Sequence, residues 1–395
     1  MINLIPSALQ FLSTVLLWNT EPPPTPSLTF RLRHVHATSN DSRTLLNNVP
    51  AELAANTLSY ALDTRPLTLH KPQSLKRFMS ARLQPYSDAT LWTEQLSRGP
   101  DVEKRETLLT LARMCYDSYY DPTDKNWYDL GPDWNTTFSY GWEPDADGFR
   151  GHVFVSSDES TVVVSIKGTS VPWLGGGPTI KKDKLNDNLL FSCCCARVGP
   201  TWSTVCGCYD GQNKCRQDCV EQALVEDSLF YPIGMNLYNN ISYLYPDAQI
   251  WFTGHSLGGS LSTLVAQTFG VPAVAFEAPG DLMASRRLHL PSPPSTQHIV
   301  HVYNTGDPIP QGTCTGIGST CANAGYALES HCHQGKIIKY DTVNKLGWRV
   351  NVQNHIITAM IDVLSVESEW EEGREVPPLE DEADDCVDCY QWEYV

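Results

Sequence analysis

Ser256 lies in the box Gly254-His-Ser-Leu-Gly258, after the apolar run Ile250-Trp-Phe252 and ahead of leucines at helical spacing. A serine hydroxyl attacks a carbonyl only when a base takes its proton and a third group orients that base. Gly254 and Gly258 carry no Cβ, so a strand can bend sharply into a helix there and expose the hydroxyl on the bend. The acids that follow Ser256 and could orient a base are Glu277, Asp281, Asp307 and Asp341. Asp307, in Thr305-Gly-Asp-Pro-Ile-Pro310, stands just past the C-terminal end of an apolar strand, where catalytic groups collect in open α/β sheets. Asp281 reads as a helix cap. His298, His301, His331, His333 and His355 also follow the serine. The first two precede Asp307, and the next two flank Cys332, so the order serine, acid, histidine selects His355. His255 adjoins the nucleophile but is directed beneath the bend. An oxyanion needs two donors: the Leu257 N–H, directly after the serine, and Thr169, after the β-branched strand Thr161–Ile166, with both its N–H and its hydroxyl available.

These groups must be positioned by elements far apart in sequence. Gln249–Thr253 reads as a buried strand and Leu257–Phe269 as a helix with Leu257, Leu261, Leu264, Val265 and Phe269 on one face. Arg150–Thr169 has the alternation of a hairpin about Ser157–Ser160. Helices are expected near Thr107–Tyr120 and over Arg216–Tyr245, further buried strands at Val271–Phe276 and Val300–Asn304, and a late β pair at Ile337–Tyr340 and Trp348–Val352. Strands alternating with helices imply an α/β fold with a mostly parallel central sheet and helices on both faces. The organisation expected is a signal or signal-anchor segment over 1–20, a stem over 21–100 packing partly on the main domain, a catalytic domain over 101–365 and an acidic tail over 366–395. Within the catalytic domain, 171–215 is a cysteine-rich insertion. The loop Val171–Leu190, with Trp173, Leu174, Leu189, Leu190 and a glycine run at 175–177, is the candidate lid. The tail holds Cys386 and Cys389 and, from Glu367 on, twelve acids against Arg374, a composition that predicts solvation and partial disorder.

A formal charge of −17 over 395 residues excludes nucleic acid as an expected partner. It also leaves contact with anionic lipid to apolar groups, or to a pH at which carboxylates are partly protonated. Thirteen cysteines, with sequons at Asn40, Asn135 and Asn240, favour an oxidising, glycosylating compartment and disulfides over a zinc site. The odd count leaves one thiol over, and Cys115 stands alone in sequence. The apolar run Leu4–Trp18 is short for a bilayer span and suits entry to the secretory pathway, as cleaved signal or retained anchor.

The boxes Ile166-Lys-Gly-Thr169, Gly254-His-Ser-Leu-Gly258 and Asn304-Thr-Gly-Asp-Pro308, with the late His355, resemble the class 3 triacylglycerol lipases of fungi, an α/β-hydrolase family. The stretches Ala275-Phe-Glu-Ala-Pro-Gly280, Arg287–Ser295, Gly312-Thr-Cys-Thr-Gly316, Tyr340–Trp348 and Asp388-Cys-Tyr-Gln-Trp392 resemble, more specifically, the fungal autophagic-body lipases. The resemblance runs from about residue 100 to 395. It implies Ser256 as nucleophile, Asp307 as acid, His355 as base, and hydrolysis of phospholipid and neutral-lipid esters at membrane surfaces, with no cofactor and no metal. It further implies a single-pass type II membrane glycoprotein, passing through endoplasmic reticulum, Golgi and multivesicular bodies to the vacuole lumen. An esterase of the same fold acting on soluble or cell-wall esters, and an inactive hydrolase-fold binding protein, are the alternatives.

Overall fold

A computed structural model describes residues 27–38, 44–50, 59–83, 91–120, 147–170, 179–196, 204–227, 230–316, 318–371 and 373–395. The N-terminal segment 1–20, the sequons at Asn40 and Asn135, and the lid residues 171–178 lie outside them. The strands are β1 (Ser27–Thr38), β2 (Thr44–Asn48), β3 (Tyr60–Pro72), β4 (Trp92–Pro100), β5 (Asp147–Ser156), β6 (Thr161–Ile166), β7 (Lys214–Cys215), β8 (Gln249–His255), β9 (Ala273–Phe276), β10 (Ile299–Asn304), β11 (Lys336–Tyr340), β12 (Glu380–Asp381) and β13 (Glu393–Tyr394). One sheet runs β12-β11-β10-β9-β8-β6-β5-β1-β3-β4, with β2 on β1, and β7 pairs with β13 apart from it. The middle of the sheet, β6, β8, β9, β10 and β11, is parallel. Antiparallel strands extend it on both sides.

Alternation along the central strands feeds two cores, one on each face. Val162, Val164 and Ile166 of β6, with Ile250 and Phe252 of β8, meet the helices Phe230–Leu244 and Leu257–Phe269. Val163 and Trp251 point the other way, to the helices Arg105–Asp117 and Ile357–Ser365. Each large side chain fully buried this way contributes about 1.5–3 kcal/mol of transfer free energy. The expected α/β-hydrolase arrangement, with its hairpin β5–β6 and the strand–elbow–helix unit, is therefore present.

Several local expectations differ. The segment expected as a stem supplies β1, β2, β3 and β4, continuous with the catalytic sheet. β1 pairs with β5 some 120 positions later (Leu32 opposite Phe154), and Phe30, Leu32 and Leu62 are buried. Trp348–Val352 is not a strand; the chain there is irregular and tightens into a 3-10 turn at Val352–His355, capped by the Asn351 side chain on the Gln353 N–H. Leu189 and Leu190, assigned to the lid, lie in the core on the helix Ile180–Phe191. Among the described residues no helix is long and apolar enough to cross a membrane.

Twelve of the thirteen cysteines are joined, as 193–389, 194–215, 195–206, 208–219, 314–321 and 332–386, and Cys115 is free and buried. Two of these bridges overturn the expectation of a disordered tail. Cys193–Cys389 and Cys332–Cys386 fasten it to the domain, Trp370 and Val376 are buried, and β13 pairs with β7. Closing a loop of 196 residues restricts the unfolded chain by about 5 kcal/mol in the chain-entropy account, which offsets the repulsion of a dozen acids. Asn240 is exposed on its helix, where a glycan has room.

Candidate active site

β8 ends at His255, and Ser256 turns the chain with φ 58° and ψ −130° before the helix Leu257–Phe269 begins. A non-glycine residue held there stores about 1–3 kcal/mol of backbone strain. Packing over-determines it. A Cβ on Gly254 would stand 2.3 Å from the Gly258 carbonyl oxygen, and one on Gly258 would stand 2.2 Å from that of Ile166. The Ser256 N–H donates to the Phe276 carbonyl at 2.9 Å, which ties the bend to β9.

His355 stands between the other two groups, its Nε2 2.8 Å from Ser256 Oγ and its Nδ1 2.7 Å from Asp307 Oδ2. Asp307 is fully buried, whereas the His355 side chain keeps 12% of its surface exposed. Asp307 Oδ1 accepts the Ile309 N–H at 2.9 Å, fixing the carboxylate on its proline-stiffened turn. The Asn354 side chain donates to the Gly306 carbonyl at 3.0 Å and binds the 3-10 turn to that loop. His255 lies beneath, as expected: Tyr119 OH donates to its Nδ1 at 2.6 Å, and its Nε2–H donates to the His355 carbonyl at 2.6 Å. Burial, then the neighbouring His355, pushes its pKa well below the usual imidazole range, so it stays neutral.

Leu257 is the first residue of the elbow helix, and its N–H is one of the four that no helical carbonyl satisfies. Gly168, two residues past β6, lies against the bend: a Cβ there would be 3.1 Å from that of Ser256. Thr169 is therefore at the site, but its hydroxyl is bonded to Asp187 Oδ2 at 2.5 Å, where the sequence left it free to face an oxyanion. Burial pushes the Asp187 carboxyl up to about 8. With its hydroxyl donating to Asp187, Thr169 has its backbone N–H left as the donor for an oxyanion.

Behind Thr169, Asp183 Oδ2 accepts from Lys167 Nζ at 3.0 Å, the Ser170 N–H at 2.9 Å and the Thr179 hydroxyl at 2.9 Å. Both Lys167 and Asp183 are buried. Burial lowers the lysine pKa and Asp183 opposes that shift. Sequence reasoning missed this pair, Asp187 and Tyr119. The available signal was Asp183 and Asp187, like charges one helical turn apart, a costly spacing unless something buried receives them. Lys167→Met is expected to destabilise the protein by about 3–5 kcal/mol, because it strands a buried carboxylate. Denaturant unfolding measures this, and a loss below 1 kcal/mol would contradict the pairing.

Asp187 also sets a pH dependence of stability. Native Asp187 keeps its proton up to about 8, whereas the unfolded chain releases it near 4. The native state thus binds more protons in between, and stability falls as pH rises, by at most about 1.4 kcal/mol per unit. Buried His36, His152 and His298, lowered to about 4, 3 and 4, act oppositely, but only below about 6.5. From pH 7 to 8 the melting temperature is expected to fall, and to fall less in Asp187→Asn. Equal slopes in the two proteins would refute the assignment.

Of the remaining candidates, only Glu277 adjoins the site. Asp341 caps the short helix Thr342–Leu346. Asp281 occupies an N-cap position without capping; its carboxylate instead accepts from Gln334 N at 2.9 Å and from the Thr263 hydroxyl, and pairs with His301 at 3.4 Å. His331 and His333 flank the Cys332–Cys386 bridge and face Asp388 and Glu382. Glu277 is buried beside Asp307.

A family model described as a Tle-like phospholipase domain matches residues 110–289. The protein named "Putative lipase ATG15" in Mycosarcoma maydis is 48% identical over 349 residues, which cover 84% of this chain and 66% of that one. Its namesake in Candida glabrata is 42% identical over 351 residues, covering 85% and 68%. Across five such fungal relatives the chain spans 55 to 66% of their length. Among solved structures, Rhizomucor miehei triacylglyceride lipase matches 60% of this chain and 81% of its own at 18% identity, with a TM-score of 0.31, too remote to carry an argument.

Proposed function

The chain belongs to the ATG15 lipase family, and from that premise we propose that it is a serine-dependent hydrolase of acyl esters in phospholipid and neutral lipid. One observation carries the reading: His355 bridges Ser256 Oγ and Asp307 at 2.8 and 2.7 Å, beside the free end of the elbow helix. Ser256 Oγ attacks the ester carbonyl carbon while its proton passes to His355 Nε2. Asp307 accepts the Nδ1–H, selects the tautomer and stabilises the imidazolium. The Leu257 and Thr169 amides receive the oxyanion. The carbonyl–oxygen bond to the glycerol side breaks, and His355 returns its proton to that leaving oxygen. Water, deprotonated by the same imidazole, then releases the fatty acid from Ser256. No metal or cofactor enters these steps.

The proposed substrates are the membranes of autophagic and multivesicular bodies in the vacuole lumen, reached by a chain held to the membrane through its N-terminal segment. Six disulfides and the exposed sequon at Asn240 support passage through an oxidising, glycosylating compartment. The test is fatty-acid release from vesicles of defined phospholipids and from triacylglycerol emulsions, comparing the wild type with Ser256→Ala. Release by the wild type alone is the expected outcome. Hydrolysis of short soluble esters without any release from bilayers would replace this reading with that of a soluble esterase.

A further inference from the structure

We propose that Glu277 is a neutral carboxylic acid that donates a hydrogen bond to Asp307, and so acts as a positioning residue for the acid of the site. The inference rests on the serine-hydrolase reading and deepens it.

β9 and β10 are parallel neighbours, and the residues just past their C-terminal ends come side by side. Glu277 follows β9, with φ 46°, a left-handed conformation that a glutamate seldom adopts. Its N–H donates to the Val302 carbonyl at 2.9 Å, fixing the bend against β10. That bend aims the side chain inward rather than along the strand. Asn304 then loads one carboxyl oxygen: Oε1 accepts from Asn304 Nδ2 at 2.7 Å and from its backbone N–H at 3.1 Å. Oε2 has only a long 3.3 Å approach from the same N–H, which leaves it free to carry a hydrogen. Asp307 presents the complementary pattern, each of its oxygens already accepting one N–H, from Ile309 and from His355.

Asn304 joins the two: its side chain and backbone N–H donate to Glu277 while its carbonyl accepts the Asp307 N–H at 3.1 Å, so the two fully buried carboxyl groups are neighbours. No lysine or arginine among the described residues pairs with either. The other titratable groups near them are His355, on Asp307, and Tyr303, whose phenol is pushed up by burial and then by Glu382, Glu277 and Glu380. Two like charges so placed cannot both form, as in any carboxyl pair that shares one proton. Burial first, and then the Asp307 charge, pushes the Glu277 carboxyl well above its usual range. The hydrogen between them holds the Asp307 carboxylate in the plane that His355 needs. It also presents the imidazole with one negative charge instead of two.

Glu277→Gln is always neutral and can still donate to Asp307, whereas Glu277→Ala cannot. The expected outcome is a kcat about 10–100-fold lower for Glu277→Ala with KM little changed, substantially rescued in Glu277→Gln. The wild-type pH–rate profile should also show a loss at alkaline pH that Glu277→Gln lacks. Independently of turnover, the infrared difference between wild type and Glu277→Gln at neutral pH should contain the band of a protonated, buried carboxylic acid. The proposal is overturned if Glu277→Gln is as impaired as Glu277→Ala, if neither variant is impaired, or if the difference spectrum contains only a carboxylate. Turnover retained by Ser256→Ala would instead defeat the serine mechanism beneath it. A Ser256-dependent enzyme indifferent to residue 277 would defeat this inference alone.

Discussion

Ser256→Ala will reduce ester hydrolysis by about 10⁶-fold while leaving the fold intact. Removing the nucleophile of a serine triad costs about that much in kcat, because the base and its orienting acid then have nothing to activate. What remains, about 10³–10⁴ over water, comes from the oxyanion donors and from substrate binding. The fold should survive because the side-chain partner of Ser256 Oγ is His355, while the bend itself is held by the backbone bond to Phe276 and by the two close glycine approaches. Alanine has the same Cβ, so the φ of 58° becomes no worse. The loss of one hydrogen bond is worth about 0.5–1.5 kcal/mol, a shift of a few degrees in melting temperature. Parallel assays of vesicle hydrolysis, fluorophosphonate labelling and thermal unfolding decide the matter. Labelling that persists, or turnover within a hundredfold of wild type, would mean that another residue is the nucleophile.

The elbow was legible because its determinants are local. A buried strand, two glycines and a helix with one apolar face occupy about twenty consecutive residues, and no distant partner is needed to recognise them. Asp307 and His355 were legible through chain order and through prolines that mark the end of a strand. The N-terminal strands were less so. Thr29-Phe-Arg-Leu-Arg33 does alternate, but its partner β5 is some 120 residues away, and the surrounding prolines and serines made the segment read as a stem. The same limit hid the polar network behind Thr169. The helix Ile180–Phe191 buries Asp183, Asn186, Asp187 and Asn188 alongside Leu189 and Leu190, so no hydrophobic periodicity reveals which side faces inward. The partner of Asp183 is Lys167, on the other side of residues 171–178. The C-terminal tail failed for a different reason. Its composition favours solvation, yet covalent bridges from Cys193 and Cys332 override composition, and pairing cannot be read from spacing alone. Chain position favours Asp307 over Glu277 as the acid; the structure places both at one spot, where only one of the two can be the charged partner of His355.

Asp307→Asn tests which of the two it is. The substitution keeps shape and volume but only one acceptor, so the Ile309 N–H stays satisfied when the amide oxygen faces it and loses its partner when that oxygen faces His355. It replaces the carboxylate oxygen facing His355 Nδ1, now at 2.7 Å, with either an amide NH₂ or a weaker neutral carbonyl. An NH₂ there donates to Nδ1 and forces the hydrogen onto Nε2, which then points a donor at Ser256 Oγ where an acceptor is required. A carbonyl preserves the tautomer but no longer stabilises the imidazolium formed during attack. Either way the fall in kcat should be about 10⁴-fold, or about 5.5 kcal/mol of transition-state stabilisation. KM should move little, because Asp307 is fully buried and touches no lipid. Stability should change far less than activity, since the variant removes a buried charge as well as a hydrogen bond. Single-turnover hydrolysis on vesicles, with unfolding curves for both proteins, measures the two effects separately. A loss under tenfold would show that His355 takes its orientation from elsewhere, and Glu277, in the ionised form, would become the group to examine.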